Sequence, residues 1–330
     1  MVSGVMPLVE QSRILLVDGH AYAYRAFHAI RNLSSPTGAP TNAIFGFIKM
    51  LTKMQAQLAP AYQGVIWDGG LCAERMSEHP DYKTQRPPMP SNLESQMDGI
   101  TAYLDAAGIP SFCREGVEAD DWIAAIARDH AGTAPVVIAT SDKDFMQLVS
   151  DRIGILNPND KSEKIWGINE VRARTGVEPS QIVDWLALIG DSVDNIPGVP
   201  GVGPKTATDL IRQFGSIDNL QGRLNEVKSE KLRGNLAASM DVLRRNQRLI
   251  RLRLPQDQSP TSLAELTPRA PVTERLRELF EQWGFRGMLA QLPGPPGPGN
   301  IPGAPGSGPG SGTGTAGREK GPQMHQGVLL

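Results

Sequence analysis

Short unbroken apolar runs alternate with segments in which apolar residues recur every three or four positions. Three runs stand out: RILLVDG at 13–19, GVIWDGG at 64–70 and APVVIATSDKD at 134–144. Runs of this kind, rich in β-branched residues, suit strands buried on both faces of a parallel sheet. The segments between them read as helices. Residues 41–58 place Ile44, Phe47, Ile48 and Leu51 on one face. Residues 91–108 open with a capping box of Ser91 and Glu94 and stop at Gly108. A third helix runs from Glu118 to a stop at Gly132. Strand and helix in this rhythm predict an α/β domain with a parallel sheet. Beyond about residue 180 the strand signals fade. Helical patterns follow at 181–189, 204–214, 274–283 and, strongly basic, at 224–252, which predicts a mostly helical second lobe. No repeat of fixed period is present.

Composition narrows the class. The chain has 330 residues, 40% of them hydrophobic, enough for a sizeable core. No apolar run approaches the roughly 18 residues of a membrane helix, and the first residues lack the pattern of a secretory signal. The only cysteines, Cys72 and Cys113, have no metal-type spacing, so reduced thiols in a cytoplasmic protein are expected. The net charge of −2 neither favours nor excludes nucleic acid, because a partner meets local patches. Residues 291–330 are rich in Gly, Pro and Ser and too poor in apolar residues to offset their ordering entropy. They read as a disordered tail. Their glycines keep no every-third-residue period, which excludes collagen.

Acidic residues follow each apolar run: Asp18 after the first, Asp68 after the second, Asp142 and Asp144 after the third. Ligands of an open parallel sheet bind beyond the carboxyl ends of its strands. The stretch GVEADDW adds Glu118, Asp120 and Asp121 at a helix start, and GDSVDN adds Asp191 and Asp194. One such aspartate is ordinarily a turn former or a helix cap. Nine carboxylates in one crevice repel strongly and are tolerable only with cations. Oxygen ligands without His or Cys favour Mg²⁺ or Mn²⁺ over zinc. Two such ions about 4 Å apart suit phosphodiester hydrolysis.

IPGVPGVGPKTA, at 196–207, carries a second function. Gly198 and Gly203 have a P-loop spacing, but Pro204 intervenes before Lys205 and Thr206, and no strand precedes. A helix–hairpin–helix turn fits better. Gly198, Gly201 and Gly203 let the turn expose backbone N–H groups, and Pro204 suits the first helical position. That helix start, with Lys205, can hold a DNA phosphate. Such contacts grip the backbone and carry no sequence readout.

Five stretches together are specific: LLVDGHAYAYRAFHA (15–29), YKTQRPPMP (82–90), GVEADD (116–121), SDKDFMQLV (141–149) and GDSVDNIPGVPGVGPKTA (190–207). In these and in their order the chain resembles the 5′-nuclease (flap endonuclease) family, in particular the 5′→3′ exonuclease domain of the bacterial DNA polymerase I type, over about residues 12–290. The resemblance implies a PIN-like α/β domain over 12–180 with a helical arch at about 71–95. A helix–three-turn–helix lobe would cover 181–290. It implies that Asp18, Asp68, Glu118, Asp120, Asp121, Asp142, Asp144, Asp191 and Asp194 bind two Mg²⁺ or Mn²⁺ ions. Lys83 and Arg86, from the arch, would act with Asp142 and Asp144 in catalysis. Tyr22, Arg25, Tyr82, Lys83, Gly198, Gly201, Gly203, Lys205 and Thr206 would contact DNA, with K⁺ assisting the glycine turn. For Tyr22 a buried structural role is an equal reading.

After Asp68 the family often has Ala-Lys and then Phe-Arg, whereas this chain has Gly69-Gly70 and Glu74-Arg75. The implied activity is structure-selective 5′→3′ exonuclease and 5′-flap endonuclease cleavage, in primer removal during replication and repair. The implied substrate is DNA with a 5′ flap or 5′ end, RNA primers included. The expected protein is a free-standing monomer off the membrane, working with a separate DNA polymerase. Two alternatives are weighed. A PIN-like ribonuclease would share the strand-end acids without needing the phosphate grip. A non-catalytic junction binder would keep the grip and lack acids, and none of the nine is missing.

Overall fold

The structure, a computed structural model, describes residues 12–254 and 261–294. From residue 295 the expected tail lies outside the described residues. Five parallel strands form the sheet: β1 (Ile14–Asp18), β2 (Tyr62–Trp67), β3 (Ser111–Cys113), β4 (Val136–Ala139) and β5 (Ile153–Leu156). A sixth, β6 (Ile165–Trp166), runs antiparallel to β5 at the edge, so the sheet is mostly, not wholly, parallel. The strand order is β3-β2-β1-β4-β5-β6.

Helices α1 (Gly19–Ala29), α2 (Asn42–Leu58), α3 (Ala73–Glu78), α4 (Ser91–Ala106) and α5 (Ala119–His130) fall between strands. After the sheet come α6 (Ile168–Thr175), α7 (Ile182–Ile189), α8 (Pro204–Phe214), α9 (Ile217–Gly222), α10 (Glu230–Ala238), α11 (Met240–Ile250) and α12 (Thr273–Trp283). A two-residue pair, β7 (Gly190–Asp191) with β8 (Ile196–Pro197), lies between α7 and α8.

Alternation along β1 explains its unbroken apolar run. Ile14 and Leu16 enter one core with α5, α7, α8 and α11. Leu15 and Val17 enter the other with α1, α2, α4 and α12. Successive side chains point to opposite faces, so a sheet covered on both sides needs every position apolar. The first core runs without interruption from Ile123 of α5 to Leu186, Leu210 and Leu243 of the helical region. The change of pattern near residue 180 is therefore a change of secondary structure within continuous packing.

Several local expectations are corrected. Ser91 does not cap α4. Pro90 takes the cap position with extended backbone, and its carbonyl accepts from Leu93 and Glu94. The basic 224–252 segment is not one helix. It breaks at Ser239, which ends α10 and begins α11. Both cysteines are free thiols. Among the described residues no helix is long and apolar enough to cross a membrane.

Candidate active site

The strand order sets β2, β1 and β4 side by side, so the acids that end these three strands share one edge of the sheet. Asp18 ends β1 and caps α1, accepting from the Ala21 amide at 3.0 Å. Gly19 is required at this corner, because a Cβ there would lie 2.5 Å from the Trp67 ring. Asp68 follows β2 and accepts from the Ala119 amide at 2.9 Å, which ties it to the first turn of α5. His20 approaches the same carboxylate at 3.6 Å. Asp142 follows β4 and accepts from the Asp144 amide at 2.9 Å. Thr140 links the two central strands: its hydroxyl donates to Asp18 at 2.9 Å and accepts from the Asp142 amide at 3.1 Å. The apolar-run pattern gave no reason to single out Thr140.

These acids sense one another. Burial chiefly, with the charges of Asp68 and Asp142, pushes Asp18 up to about 7. Burial, with Asp120 and Asp194, pushes Asp142 up to about 6. Burial and Asp142 push Asp144 well above the usual carboxylate range. A crowded, poorly hydrated, oxygen-only donor set fits hard divalent cations. Among the described residues no three His, Cys, Asp or Glu side chains already form an ion-holding group. The acids share a neighbourhood without a preassembled cage.

The arch segment does not stand free. Residues 79–86 form a turn folded into the acid crevice, with Tyr82 and Lys83 buried. The Lys83 ammonium bonds directly to Glu118 and lies 3.8 Å from Asp120. Burial alone would lower the Lys83 pKa, but the Asp120 and Glu118 carboxylates raise it, so the group is charged. Burial would raise Glu118, and Lys83 with Arg75 outweighs it and holds the carboxylate below its usual range. Tyr82 donates its hydroxyl to Glu118 at 3.2 Å.

The same turn is stapled to the Asp191–Asp194 loop. The Lys83 amide donates to the Asp194 carbonyl at 3.1 Å, and Arg86 donates to the Asp194 carboxylate at 2.9 Å. His79 lies 2.8 Å from the Asn195 carbonyl, and Asn195 donates to the Asp81 carbonyl at 3.1 Å. Lys143 pairs with Asp191 at 2.9 Å. His79 lies outside every motif read in the sequence, and Asn195, though inside the 190–207 stretch, had no role assigned there.

Three expected roles change. Tyr22 is 3% exposed and donates to the Leu156 carbonyl at 3.3 Å, which places it in the core and favours the structural of its two readings. Tyr22→Phe is expected to leave the Kd for DNA unchanged and to lower unfolding free energy by about 1 kcal/mol in urea titration. A weakened Kd would return Tyr22 to the DNA surface. Tyr82, 2% exposed beneath Lys83, is likewise not available to DNA. Asp121 differs from the other acids, because Arg75 forks onto both its oxygens at 2.7 and 2.8 Å. Arg25 remains exposed, donating at 3.4 Å to the Pro158 carbonyl.

The glycine turn joins α7 to α8. A Cβ on Gly198 would lie 2.0 Å from the Ile189 carbonyl oxygen, and Gly201 has φ +80°. Both are demanded by the turn itself. A Cβ on Gly203 would meet nothing within 4 Å, so the fold does not account for that glycine. Gly203 precedes Pro204 at the start of α8, and no side chain caps this end. Lys205 is exposed and Thr206 half-buried on the first turn. Uncapped first-turn amides are a ready anion site.

Residues 13–176 match the 5′-3′ exonuclease N-terminal resolvase-like domain, and residues 177–274 match the 5′-3′ exonuclease C-terminal SAM fold. The chain belongs to the 5′-3′ exonuclease family. It is thus a 5′-3′ exonuclease, a phosphodiester hydrolase. The 5′-3′ exonuclease of Aquifex aeolicus is 34% identical over 280 residues, covering 84% of this chain and 94% of that protein. DNA polymerase I of Pseudomonas aeruginosa is 38% identical over 292 residues, covering 86% of this chain. This exonuclease spans about a third of that polymerase, 32% of its length.

Among solved structures, T5 5′-exonuclease with bound divalent zinc aligns at TM-score 0.62 and 23% identity, covering 82% of this chain and 99% of that one. A T5 flap endonuclease complex with DNA and metal ions aligns at TM-score 0.61 and 22% identity, with the same coverage. These likenesses establish the shared fold: a mixed, mostly parallel six-stranded sheet with a helical C-terminal region.

Proposed function

We propose that this exonuclease cleaves DNA at a 5′ flap or 5′ end, releasing a 5′-phosphate product and leaving a 3′-hydroxyl. The adjacency of β2, β1 and β4 carries the reading, because it collects strand-end acids on the edge that the arch turn covers. Asp18, Asp68, Glu118, Asp120, Asp142, Asp144, Asp191 and Asp194 would hold two Mg²⁺ or Mn²⁺ ions. When bound, such ions activate water and stabilise charge on the phosphate. Lys83 and Arg86 supply positive charge to the scissile phosphate. Asp142 and Asp144, half-buried at the carboxyl end of β4, would supply oxygens to those ions beside the phosphate.

The helical region over 181–290 grips the duplex and the domain over 12–180 cuts it. Gly203, Lys205 and Thr206 hold a backbone phosphate at α8, and the glycine turn would take up a K⁺ that adds positive charge there. Primer and flap removal alongside a DNA polymerase activity, by a cytoplasmic monomer, completes the reading. A labelled 5′-flap duplex incubated with Mg²⁺ should be cut near the junction, and EDTA should stop the cut. No cleavage in either Mg²⁺ or Mn²⁺ would overturn the assignment. Lys205→Ala is expected to weaken binding of unrelated duplexes equally and to reduce the salt slope of log K by about 1. Fluorescence anisotropy across a salt series reads both, and an unchanged slope removes Lys205 from the phosphate grip.

A further inference from the structure

Asp121 sits in the first turn of α5 beside Asp120, and of the nine acids it is the one whose two oxygens both accept from a guanidinium. It is 1% exposed and Arg75 is 6% exposed. The Arg75 guanidinium meets it as a two-pronged fork, Nη1 to Oδ2 at 2.7 Å and Nη2 to Oδ1 at 2.8 Å. Oδ1 also accepts from the Arg253 amide at 2.7 Å. Arg75 donates further to the carbonyls of Leu249 at 2.9 Å and Arg251 at 3.3 Å, at the end of α11. Its Nη1 lies 3.2 Å from Glu118, the carboxylate that receives Lys83. Three segments far apart in sequence therefore meet on one ion pair: the foot of the arch, the acid-bearing turn of α5 and the end of α11.

We propose that Asp121 is a positioning residue and not a metal ligand, and that with Arg75 it clasps the arch foot onto the turn that presents Glu118 and Asp120. Both oxygens of Asp121 already accept from strong donors in bidentate geometry. Drawing this carboxylate onto a cation would take the bidentate partner from a buried guanidinium and leave it only the single 3.2 Å carboxylate contact with Glu118, an unfavourable exchange. Asp120 has no such fork: it accepts from the Asp121 amide at 2.7 Å and lies 3.8 Å from the Lys83 ammonium, which leaves it better placed to serve a cation. The clasp acts on the reaction through Glu118 and through the placement of Lys83, and in that respect it rests on the nuclease reading above.

The test is a calorimetric Mn²⁺ titration of the full chain without DNA. Asp121→Asn should keep the stoichiometry and hold Kd within about twofold, whereas Asp142→Asn should lose affinity by about tenfold or more. On flap DNA, Asp121→Asn should lower kcat while Mn²⁺ affinity is kept, because the misplaced arch carries Lys83 and the remaining acids are unchanged. Arg75→Lys should recover part of what Arg75→Ala loses. Each single change takes the bidentate partner from a buried charge. The paired change Arg75→Met with Asp121→Leu removes both, and it should melt higher than the sum of the two single losses predicts.

Loss of Mn²⁺ binding in Asp121→Asn equal to that in Asp142→Asn would overturn the proposal. Additive melting losses would overturn it as well. If Asp142→Asn binds Mn²⁺ like the wild type, the metal-site reading is what fails, and the melting comparison still decides the clasp.

Discussion

Asp142→Ala reduces flap cleavage to background, a loss of at least about 10³-fold, while duplex binding stays within a few-fold of wild type. Asp142 lies at the carboxyl end of β4, next to the central strand β1. It shares its charge with Asp120 and Asp194, and burial pushes it up to about 6. Removing it takes one hard oxygen donor from the middle of the set, where no neighbouring side chain can replace it. The fold should tolerate the change. The lost cap to the Asp144 amide costs about 1 kcal/mol, and relief of repulsion among buried carboxylates offsets part of that. The DNA grip proposed above lies on a different segment, the turn before α8, so binding measured with Ca²⁺ in place of Mg²⁺ should persist. EDTA applied to the wild type should reproduce the same loss. A variant that cuts at the wild-type rate would remove Asp142 from the reaction, and a variant that also fails to bind would show that grip and cleavage are not separable.

Lys83→Ala lowers the single-turnover rate by about 10²-fold or more, the scale expected when one charge partner of the transition state is removed. In the structure its ammonium is buried against Glu118 and Asp120. Its backbone has φ +58°, a strained setting for a residue with a side chain. The amide bond from Lys83 to the Asp194 carbonyl helps hold that turn. Reaching a phosphate requires the ammonium to exchange a carboxylate for a phosphate oxygen. The two partners are both anionic, so the exchange keeps the charge paired. Glu118 retains Arg75 at 3.2 Å, so it is not left unpaired by the substitution. Rapid-quench measurement at saturating enzyme separates the two possible roles. A lower rate at unchanged Kd marks Lys83 as a catalytic residue. An unchanged rate with a lower melting temperature would leave it only as the counter-charge of Glu118.

Local pattern carried much of the architecture. The runs that became β1, β2 and β4 were readable because strands covered on both faces admit only apolar side chains. The strand-end acids were readable because they follow those runs directly. The shorter strands were not. β3 has three residues and β6 two, half-buried or exposed, too few for any period to register. β5 is four residues interrupted by Gly154. Helix α1 begins at the residue after β1 with no connecting loop, so its start carries no separate punctuation.

By itself, then, the sequence determined the class of fold, the three acid-bearing strands, the glycine turn and the carboxylates that follow the strands. These depend on local periodicity, residue chemistry and backbone freedom, each of which acts over a few neighbouring residues. Only the tertiary structure decided the partners. It buried Tyr22 under Leu156, 134 residues away, and folded Lys83 onto Glu118, 35 residues away. It set Asp121 in the fork of Arg75, 46 residues away, apart from acids of the same type beside it. Two adjacent aspartates look alike in a sequence. Their difference arises from which distant segment packs against each, and burial makes that choice decisive, because a buried charge must take the partner that the packing supplies.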